Sequence, residues 1–500
     1  MLALKIEYLT GVCLATAHDD PSRSRPEWPP HPDRLYSALV AAAASLPDAS
    51  GDCLPCRARE ALTWLAAQCW SEAGLAPELH APDAHRRLAP DVHMPSNPHP
   101  GEIPHKLNPS SADNLKKLRD VLPVHRKKTA LPIPAVLPAE PAVYFIWKTA
   151  EANSHLETLR DICDRVTYLG RSRSLARVSI VEDAPPTTHA PDPLGRIQLR
   201  VPGKNRLEQL EDFYKRKGGK PDPSSTRRYR RLRDQAQSSE TIASIFDRVY
   251  VFWPRQGDPD LPATTTLKIT QTLRKALIGC IETAQKTSGL VPHVPEIVHG
   301  HGEHPHCAYI ALPFVHRWQR HADGAVKGLA VLVPRGAKWE DLQAIALGLE
   351  KIQENGLGIP GIGTWHLNEV PGDDPPLRSL AAATWRGPSR LWATATPMVF
   401  GHFPKQANGG EAKVVLDSLA IVGISADNVV EIAVGRHSPL YGALPSWHFK
   451  PHHYDAVAEE EAPRFIRHVT LRFDRPVAGP LLLGAKRYFG LGLMLPLEDH

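Results

Sequence analysis

No stretch of this chain is long and apolar enough to cross a bilayer. A spanning helix needs about 18 or more consecutive apolar residues, and no run in the 500 residues reaches that length. Nor does the N-terminus read as secretory, because Met1 to Leu9 alternates like a strand and Lys5 and Glu7 interrupt any apolar core of a signal peptide. Cysteine is scarce: seven residues, at 13, 53, 56, 69, 163, 280 and 307. An odd, scattered set excludes a secreted disulfide framework and points to a reducing cytoplasm. Cys53 and Cys56 are separated by two residues, but no second pair follows at the spacing of a zinc ribbon. Familiar catalytic signatures are missing too. Gly356-Leu-Gly-Ile-Pro-Gly-Ile-Gly363 lacks the Lys-Ser/Thr of a phosphate-binding P-loop. Neither a Gly-x-Ser-x-Gly elbow nor a His-Glu-x-x-His helix is present. Charge of one sign is also in short supply: the net is only +5, so its distribution matters more than its sum.

Proline is plentiful, with 49 residues, which predicts many turns and irregular connections. The apolar fraction of 42% suffices for a sizeable core, and the length suggests more than one domain. Leu2 to Leu9 reads as a strand, 16–32 as a polar loop and Arg34 to Ser45 as a helix with Leu35, Leu39 and Ala42 on one face. Asp33 supplies an acid at that helix N-terminus. Strand, loop, helix is how a ferredoxin-like βαββαβ unit begins. Glu60 to Ala73 follows as a helix, and the Pro- and His-rich stretch 77–139 reads as a long functional loop.

Further on, 142–147 is strand-like and 156–164 helical, and Gly170-Arg171-Ser-Arg173 forms a basic turn into a strand. Residues 182–245, with basic runs at 215–220 and 227–233, read as a connector, either a solvated linker or a nucleic-acid contact. The order then repeats: a strand at Val249 to Trp253, a helix at Thr265 to Thr283, a strand at Gly328 to Val333 and a helix at Trp339 to Asn355 closed by Gly356. Later strands are expected at 393–399, 418–424, 468–473 and 481–483. The fold class is therefore α+β, with ferredoxin-like units in tandem, divided as 1–240 and 241–500.

Two clusters carry candidate chemistry. The first is C-terminal. Gly484-Ala-Lys486-Arg487-Tyr488-Phe-Gly490-Leu-Gly492 combines glycines that let a backbone approach a ligand, cations that neutralise phosphates and an aromatic ring that can stack a base. It reads as a loop that holds an RNA backbone, or as a hairpin whose glycines are turns and whose aromatics are core. The second is His299-Gly-His301-Gly-Glu-His304-Pro-His306-Cys307, followed by His316 and His321. His304, His306 and Cys307 could ligate a metal if they face one centre. Alternatively His306, His304 or His321 could move protons for RNA cleavage by its own 2′-hydroxyl, with Lys486 and Arg487 stabilising the charged phosphorane. The third reading is a solvated loop. His448, after Ser438-Pro-Leu, is a further loop histidine that could lie near RNA.

These residues resemble a known family. Gly484 to Gly492 looks like the glycine-rich loop of CRISPR repeat-associated proteins. Trp28-Pro-Pro-His-Pro-Asp-Arg34-Leu-Tyr-Ser-Ala-Leu-Val40 resembles the opening of the Cascade subunit that caps the 5′ handle of the guide RNA. Both in one chain resemble the type I-G fusion of the Cas-five and Cas-six families, as do Tyr168-Leu-Gly-Arg-Ser172, His304-Pro-His306, His321-Ala-Asp-Gly324 and Ser438-Pro-Leu. The resemblance implies a 5′-handle-binding N-terminal part and a C-terminal endoribonuclease that cuts pre-crRNA without metal or other cofactor. The expected product ends are a 5′-hydroxyl and a 2′,3′-cyclic phosphate. It implies crRNA, the backbone and large subunits of the effector, and target DNA through the complex as partners, with no membrane. A non-catalytic crRNA clamp is the alternative. Arg34, Arg171 and Arg173 join Lys486, Arg487, Tyr488, Gly484, Gly490 and Gly492 as expected RNA contacts.

Overall fold

Alternation makes the first strand: Leu2, Leu4, Ile6 and Tyr8 are buried while Lys5 and Glu7 reach the surface. The computed structural model describes residues 1–497 apart from 18–19, 21–23, 50–53, 71–75, 96–127, 149, 153, 216–221, 233–240, 290, 301–304, 371–374, 406–409 and 450–464. The chain forms two compact units, Met1–Arg233 and Asp234–His500.

In the first unit, β1 (Leu2–Tyr8) is followed by α1 (Pro32–Ala43), α2 (Cys56–Ala67), β2 (Glu78–His80), the hairpin β3 (Ala84–Pro95) and β4 (Lys128–Pro138), β5 (Ala142–Trp147), α3 (Leu156–Cys163) and β6 (Ala176–Val181). The strand order β6-β1-β5-β2 is the antiparallel 4-1-3-2 arrangement of a ferredoxin-like βαββαβ unit, with β3 and β4 inserted between its second and third strands. The helices bury Leu35, Leu39, Leu62, Leu65, Leu159 and Ile162 against one face of the sheet. Stretch 77–139 is thus structured at both ends, with Ile133, Ala135 and Val136 buried, while 96–127 lies outside the described residues.

The expected connector at 182–245 is not a linker. It contributes β7 (His189–Pro191), β8 (Ile197–Val201), α4 (Arg206–Lys215) and β9 (Ser225–Arg231), which extend the sheet beyond β2 in the order β7-β9-β8. Charge masked the pattern. In β9 Tyr229 lies between Arg227-Arg228 and Arg230-Arg231, yet it is buried and packs with Leu199, Val201 and Leu207 in the same core. Arg206, at the start of α4, makes two hydrogen bonds to Asp33, at 2.7 and 2.9 Å, with both side chains buried.

The second unit contains two further ferredoxin-like domains. The first comprises β10 (Phe246–Pro254), β11 (Leu261–Pro262), α5 (Thr266–Thr287), the one-turn α6 (Glu296–His299), β12 (Ala308–Pro313), β13 (Ala325–Pro334), α7 (Trp339–Asn355), the small hairpin β14 (Leu357–Ile359) and β15 (Gly363–Trp365), and β16 (Leu367–Glu369). Its order β16-β10-β13-β12 is again 4-1-3-2. Ile269, Leu273, Leu277 and Ile281 recur every four residues along the buried stripe of α5. A Cβ on Gly348 of α7 would stand 2.7 Å from both Leu277 and Ile281, so the two helices approach closely where a side chain is missing.

The second domain comprises β17 (Ser389–Thr394), β18 (Met398–Val399), α8 (Gly410–Ile421), β19 (Val429–Gly435), β20 (Ile466–Val477) and β21 (Met494–Leu497), ordered β21-β17-β20-β19. Two expectations fail here for one reason, that short apolar runs do not distinguish helix from strand. Residues 418–424 end a helix whose Val415 and Leu419 are buried four residues apart, rather than forming a strand. Leu481 to Leu483 forms only an isolated bridge, Leu482 to Leu493. Strands β12 and β19 were not anticipated. β12 is buried along its whole length, so it shows no alternation. Among the described residues no helix is long and apolar enough to cross a membrane.

Removing Asp33 leaves the Arg206 guanidinium buried without its partner. Asp33→Ala should lower unfolding free energy by about 3–5 kcal/mol, and Asp33→Leu combined with Arg206→Met should recover much of the loss in urea denaturation. A single variant within about 1 kcal/mol of wild type would show that the pair is not integral to the first unit.

Candidate active site

In a complete βαββαβ unit a second helix joins the third and fourth strands. In the last domain that position is taken by 478–493, which cannot be a helix because glycines recur at 479, 484, 490 and 492. Gly484, Gly490 and Gly492 have φ of +94°, +78° and +75°. Leu483, Leu491 and Leu493 alternate with them and are fully buried. A single 3-10 turn, Arg487–Phe489, displays the polar residues.

The loop is tied down by its own backbone. The N–H of Ala485 donates to Val399 O at 2.8 Å, that of Gly492 to Pro397 O at 2.9 Å, and that of Gly484 to Ser418 Oγ at 2.7 Å. Phe489 N–H returns to Lys486 O and Gly490 N–H to Arg487 O. Two threonine hydroxyls hold the far side, Thr270 of α5 on Phe489 O at 3.0 Å and Thr396 on Gly490 O at 2.7 Å. The glycines answer to this packing. A Cβ at 492 would lie 1.9 Å from Leu483 O, one at 484 would lie 2.4 Å from Val399 O, and one at 490 would press on Ile310 Cα at 3.1 Å. Their open space is filled by protein backbone rather than left for a ligand.

The loop is seated on the preceding domain, between α5 and the start of β12, and this brings His306 to it. The imidazole of His306 stacks on the Tyr488 ring, with centroids 3.6 Å apart and planes inclined by 29°. The Arg487 guanidinium lies over the same ring, its carbon 4.5 Å from the centroid. Arg487 Nη1 donates to Gly484 O at 3.1 Å, whereas its Nε is buried and meets no acceptor among the described residues. Such a donor is costly to leave unmade, and an anionic oxygen drawn into the loop would satisfy it. His306, Lys486, Arg487 and Tyr488 are all partly exposed.

Gly300, in the left-handed conformation, packs against His306: a Cβ there would meet the ring at 2.8 Å. Arg274 of α5, which the sequence did not single out, donates to His299 O and fixes the same turn. Its only signal was a cation on the polar side of a helix. Cys307 is buried, and burial pushes its thiol well above the ordinary range, so it faces the core rather than a shared metal centre. His301 and His304 lie outside the described residues. His321 is exposed near Phe314, 5.7 Å between ring centroids, beyond the opposite end of β12 from His306. That strand alone spans roughly 17 Å, so His306 and His321 do not share one site.

The expected RNA contacts of the first unit divide similarly. Arg34 grips buried Glu27 through Nε and Nη2 at 2.6 and 2.7 Å, and Arg200 adds a third bond to the same carboxylate at 3.1 Å. Burial works to raise the Glu27 pKa, but the Arg34 bonds and the nearby charges of Arg34, His31 and Arg200 overcome it and hold the carboxyl at about 2. Arg34 is therefore committed to the protein. Arg171 and Arg173 flank the turn after Gly170. Arg171 donates to Thr16 Oγ1 at 3.2 Å, and Arg173 is exposed.

A family model described as CRISPR-associated protein, GSU0054 family, matches residues 2–496. No curated protein sequence matches the chain. Among solved structures, a Cas6 product complex aligns at 13% identity and a TM-score of 0.27, covering 51% of this chain and 100% of its own. A CRISPR-associated protein Cas6 aligns at 10% and 0.25, covering 50% and 98%. Csf5, the Cas6 crRNA endonuclease of CRISPR-Cas type IV, aligns at 10% and 0.23, also covering 50% and 98%.

If packing sets the loop glycines, Gly492→Ala should destabilise the protein by at least about 1–3 kcal/mol, through strain at positive φ and collision with Leu483. Gly279→Ala, on the open face of α5 with nothing within 4 Å, should stabilise it by about 0.5–1 kcal/mol. Thermal melting of the two variants checks both signs. Gly492→Ala melting with wild type would return that glycine to a direct role at the ligand.

Proposed function

The chain belongs to the GSU0054 family of CRISPR-associated proteins, and from that premise we propose that its second unit is a pre-crRNA endoribonuclease and its first unit a holder of the crRNA 5′ handle. The observation that carries the first part is the stack of His306 on Tyr488, which places an imidazole against a loop bearing two cations. RNA supplies its own nucleophile. A base takes the proton of the 2′-hydroxyl as the 2′-oxygen bonds to phosphorus. The bond from phosphorus to the 5′-oxygen breaks, and an acid returns a proton to that leaving oxygen. The products are a 2′,3′-cyclic phosphate and a 5′-hydroxyl, with atoms and charge balanced and no metal required.

His306 is the proton-transfer group with the best geometry among the described histidines. An imidazole titrates near the working pH. Lys486 and Arg487 stabilise the extra charge of the phosphorane, and the buried Nε of Arg487 supplies a donor that lacks an acceptor. Tyr488 acts in this reading as the support of His306 and of the Arg487 guanidinium. His304 remains a candidate for the second proton transfer. His321 does not belong to this site. The handle-binding role of the first unit is supported by the exposed Arg173 and Arg227 on its turn and on β9, together with the resemblance of its opening to handle-capping subunits. Within an effector complex, the backbone and large subunits and the target DNA would be partners of the assembled whole.

Cleavage of an end-labelled cognate repeat in EDTA tests the proposal. Wild type should cut and leave cyclic phosphate ends. His306→Ala should lose about 10²–10⁴-fold in single-turnover rate while binding the repeat, and His321→Ala should cut normally. A folded wild type that binds the repeat without cutting it would make the chain a crRNA clamp. Loss of cutting on metal removal would revive a metal-dependent hydrolase.

A further inference from the structure

Away from His306, past the other end of β12, two loops meet and display aromatic rings to solvent. The first is 314–324, between β12 and β13. The second is 436–449, after β19. They are joined by a backbone pair, His316 N–H to Tyr441 O at 3.1 Å and Tyr441 N–H to His316 O at 2.9 Å. Gly324 packs so closely on Gly442 that a Cβ would stand 2.0 Å from its carbonyl oxygen. Val315, Leu440 and Ala443 are anchored in the core below.

The displayed rings are Trp318, Tyr441 and Trp447, exposed by 61%, 42% and 52%. Water-facing indoles are expensive unless something covers them. The backbone of the loops that carry them is pinned. His316 Nδ1 accepts from the N–H groups of both Trp318 and Gln319, at 3.0 and 3.1 Å, and closes the turn that carries Trp318. The second loop is pinned by Ser446 N–H to Arg436 O at 2.9 Å. Buried His468 of β20 pins it as well. Its Nε2 donates to Leu444 O at 2.9 Å while its Nδ1 accepts from Thr394 Oγ1 at 2.9 Å, and burial lowers its pKa.

Each indole has a polar neighbour suited to a nucleotide. The Arg317 guanidinium lies over Trp318 at 4.7 Å. His437 meets Trp447 edge-on at 4.9 Å, and His448 lies beside it at 5.9 Å. The two loops carry Arg317, Arg320 and Arg436 against one acid, Asp323, which Lys327 neutralises at 2.8 Å. Stacking faces with cations beside them match single-stranded nucleic acid, because every base offers a π-face and every linkage a phosphate.

We infer that Trp318, Tyr441 and Trp447, with Arg317, Arg320 and Arg436, form a stacking platform for a single-stranded segment of RNA, separate from the His306 site. The identity of the nucleic acid as RNA rests on the proposed nuclease function. The platform itself rests on its own geometry. In use it would hold an unpaired flank of the repeat while the scissile phosphate lies at His306. A protein subunit seated on the indoles is the competing occupant.

Binding of a labelled oligouridylate to the full chain tests this, read by anisotropy and by quenching of tryptophan fluorescence. Wild type should bind with quenching. Trp318→Ala and Trp447→Ala should each weaken binding roughly fivefold to a hundredfold, and Trp447→Phe should retain most of it. Arg317→Ala should reduce the salt slope by about one unit. Wild type that binds the oligouridylate with quenching but does not cut the repeat would overturn only the nuclease reading and leave the platform standing. Trp318 and Trp447 variants that melt like wild type and bind within twofold of it, with no quenching in wild type, would overturn the platform and leave that face to a protein partner.

Discussion

The second unit depends on how its C-terminal segment is seated. Residues 478–493 replace a helix with a loop: Leu493 joins the core around Ile310 and Leu312 of β12, Leu491 packs with Leu267 of α5, and Leu483 sinks into the last domain's own core with Val415 and Leu419. Burial of those side chains contributes roughly 1.5–3 kcal/mol each, and the threonine bonds to Phe489 O and Gly490 O fix the register. Everything chemical follows from this contact. His306 belongs to one ferredoxin-like domain and Lys486, Arg487 and Tyr488 to the next, so no single domain holds the site.

Partnership separates the cations closed inside the fold from one with a donor to spare. In the first unit Arg34, Arg200 and Arg206 are spent on Glu27 and Asp33 inside the fold, where a carboxylate without its partner would be strongly destabilising. In the second unit Arg487 is held by one carbonyl and a ring, and its buried Nε finds no acceptor among the described residues. A guanidinium placed this way is poised for an oxygen anion.

Much of the architecture was legible in the sequence because ferredoxin-like units announce themselves by order. Strand β1, helix α1, strand β10 and helix α7 all follow from alternation or four-residue spacing. What failed was local and physical. β12 hides because both its faces are buried, and β9 because its one core residue, Tyr229, sits among arginines. Of the candidate residues, the C-terminal loop and His306 were read from composition and spacing and are brought together. Arg34 looked like an RNA contact because a sequence shows a charge but not its partner, which lies seven residues earlier at Glu27. The loop glycines carry a related ambiguity, which the sequence left open between ligand contact and turn. Glycine marks a close approach, but only coordinates say whether the approaching group is ligand or backbone.

The central claim is that the stack on Tyr488 makes His306 a proton-transfer group. Single-turnover cleavage of the repeat by Tyr488→Ala and Tyr488→Phe, with binding measured in parallel, tests it most directly. Tyr488→Phe should keep the stack and cut within a few-fold of wild type. Tyr488→Ala should cut at least about tenfold more slowly at saturating RNA, with its pH dependence shifted as the imidazole loses its fixed setting. Equal cleavage rates and an unchanged pH profile in a folded Tyr488→Ala would contradict the claim and place the proton transfer elsewhere.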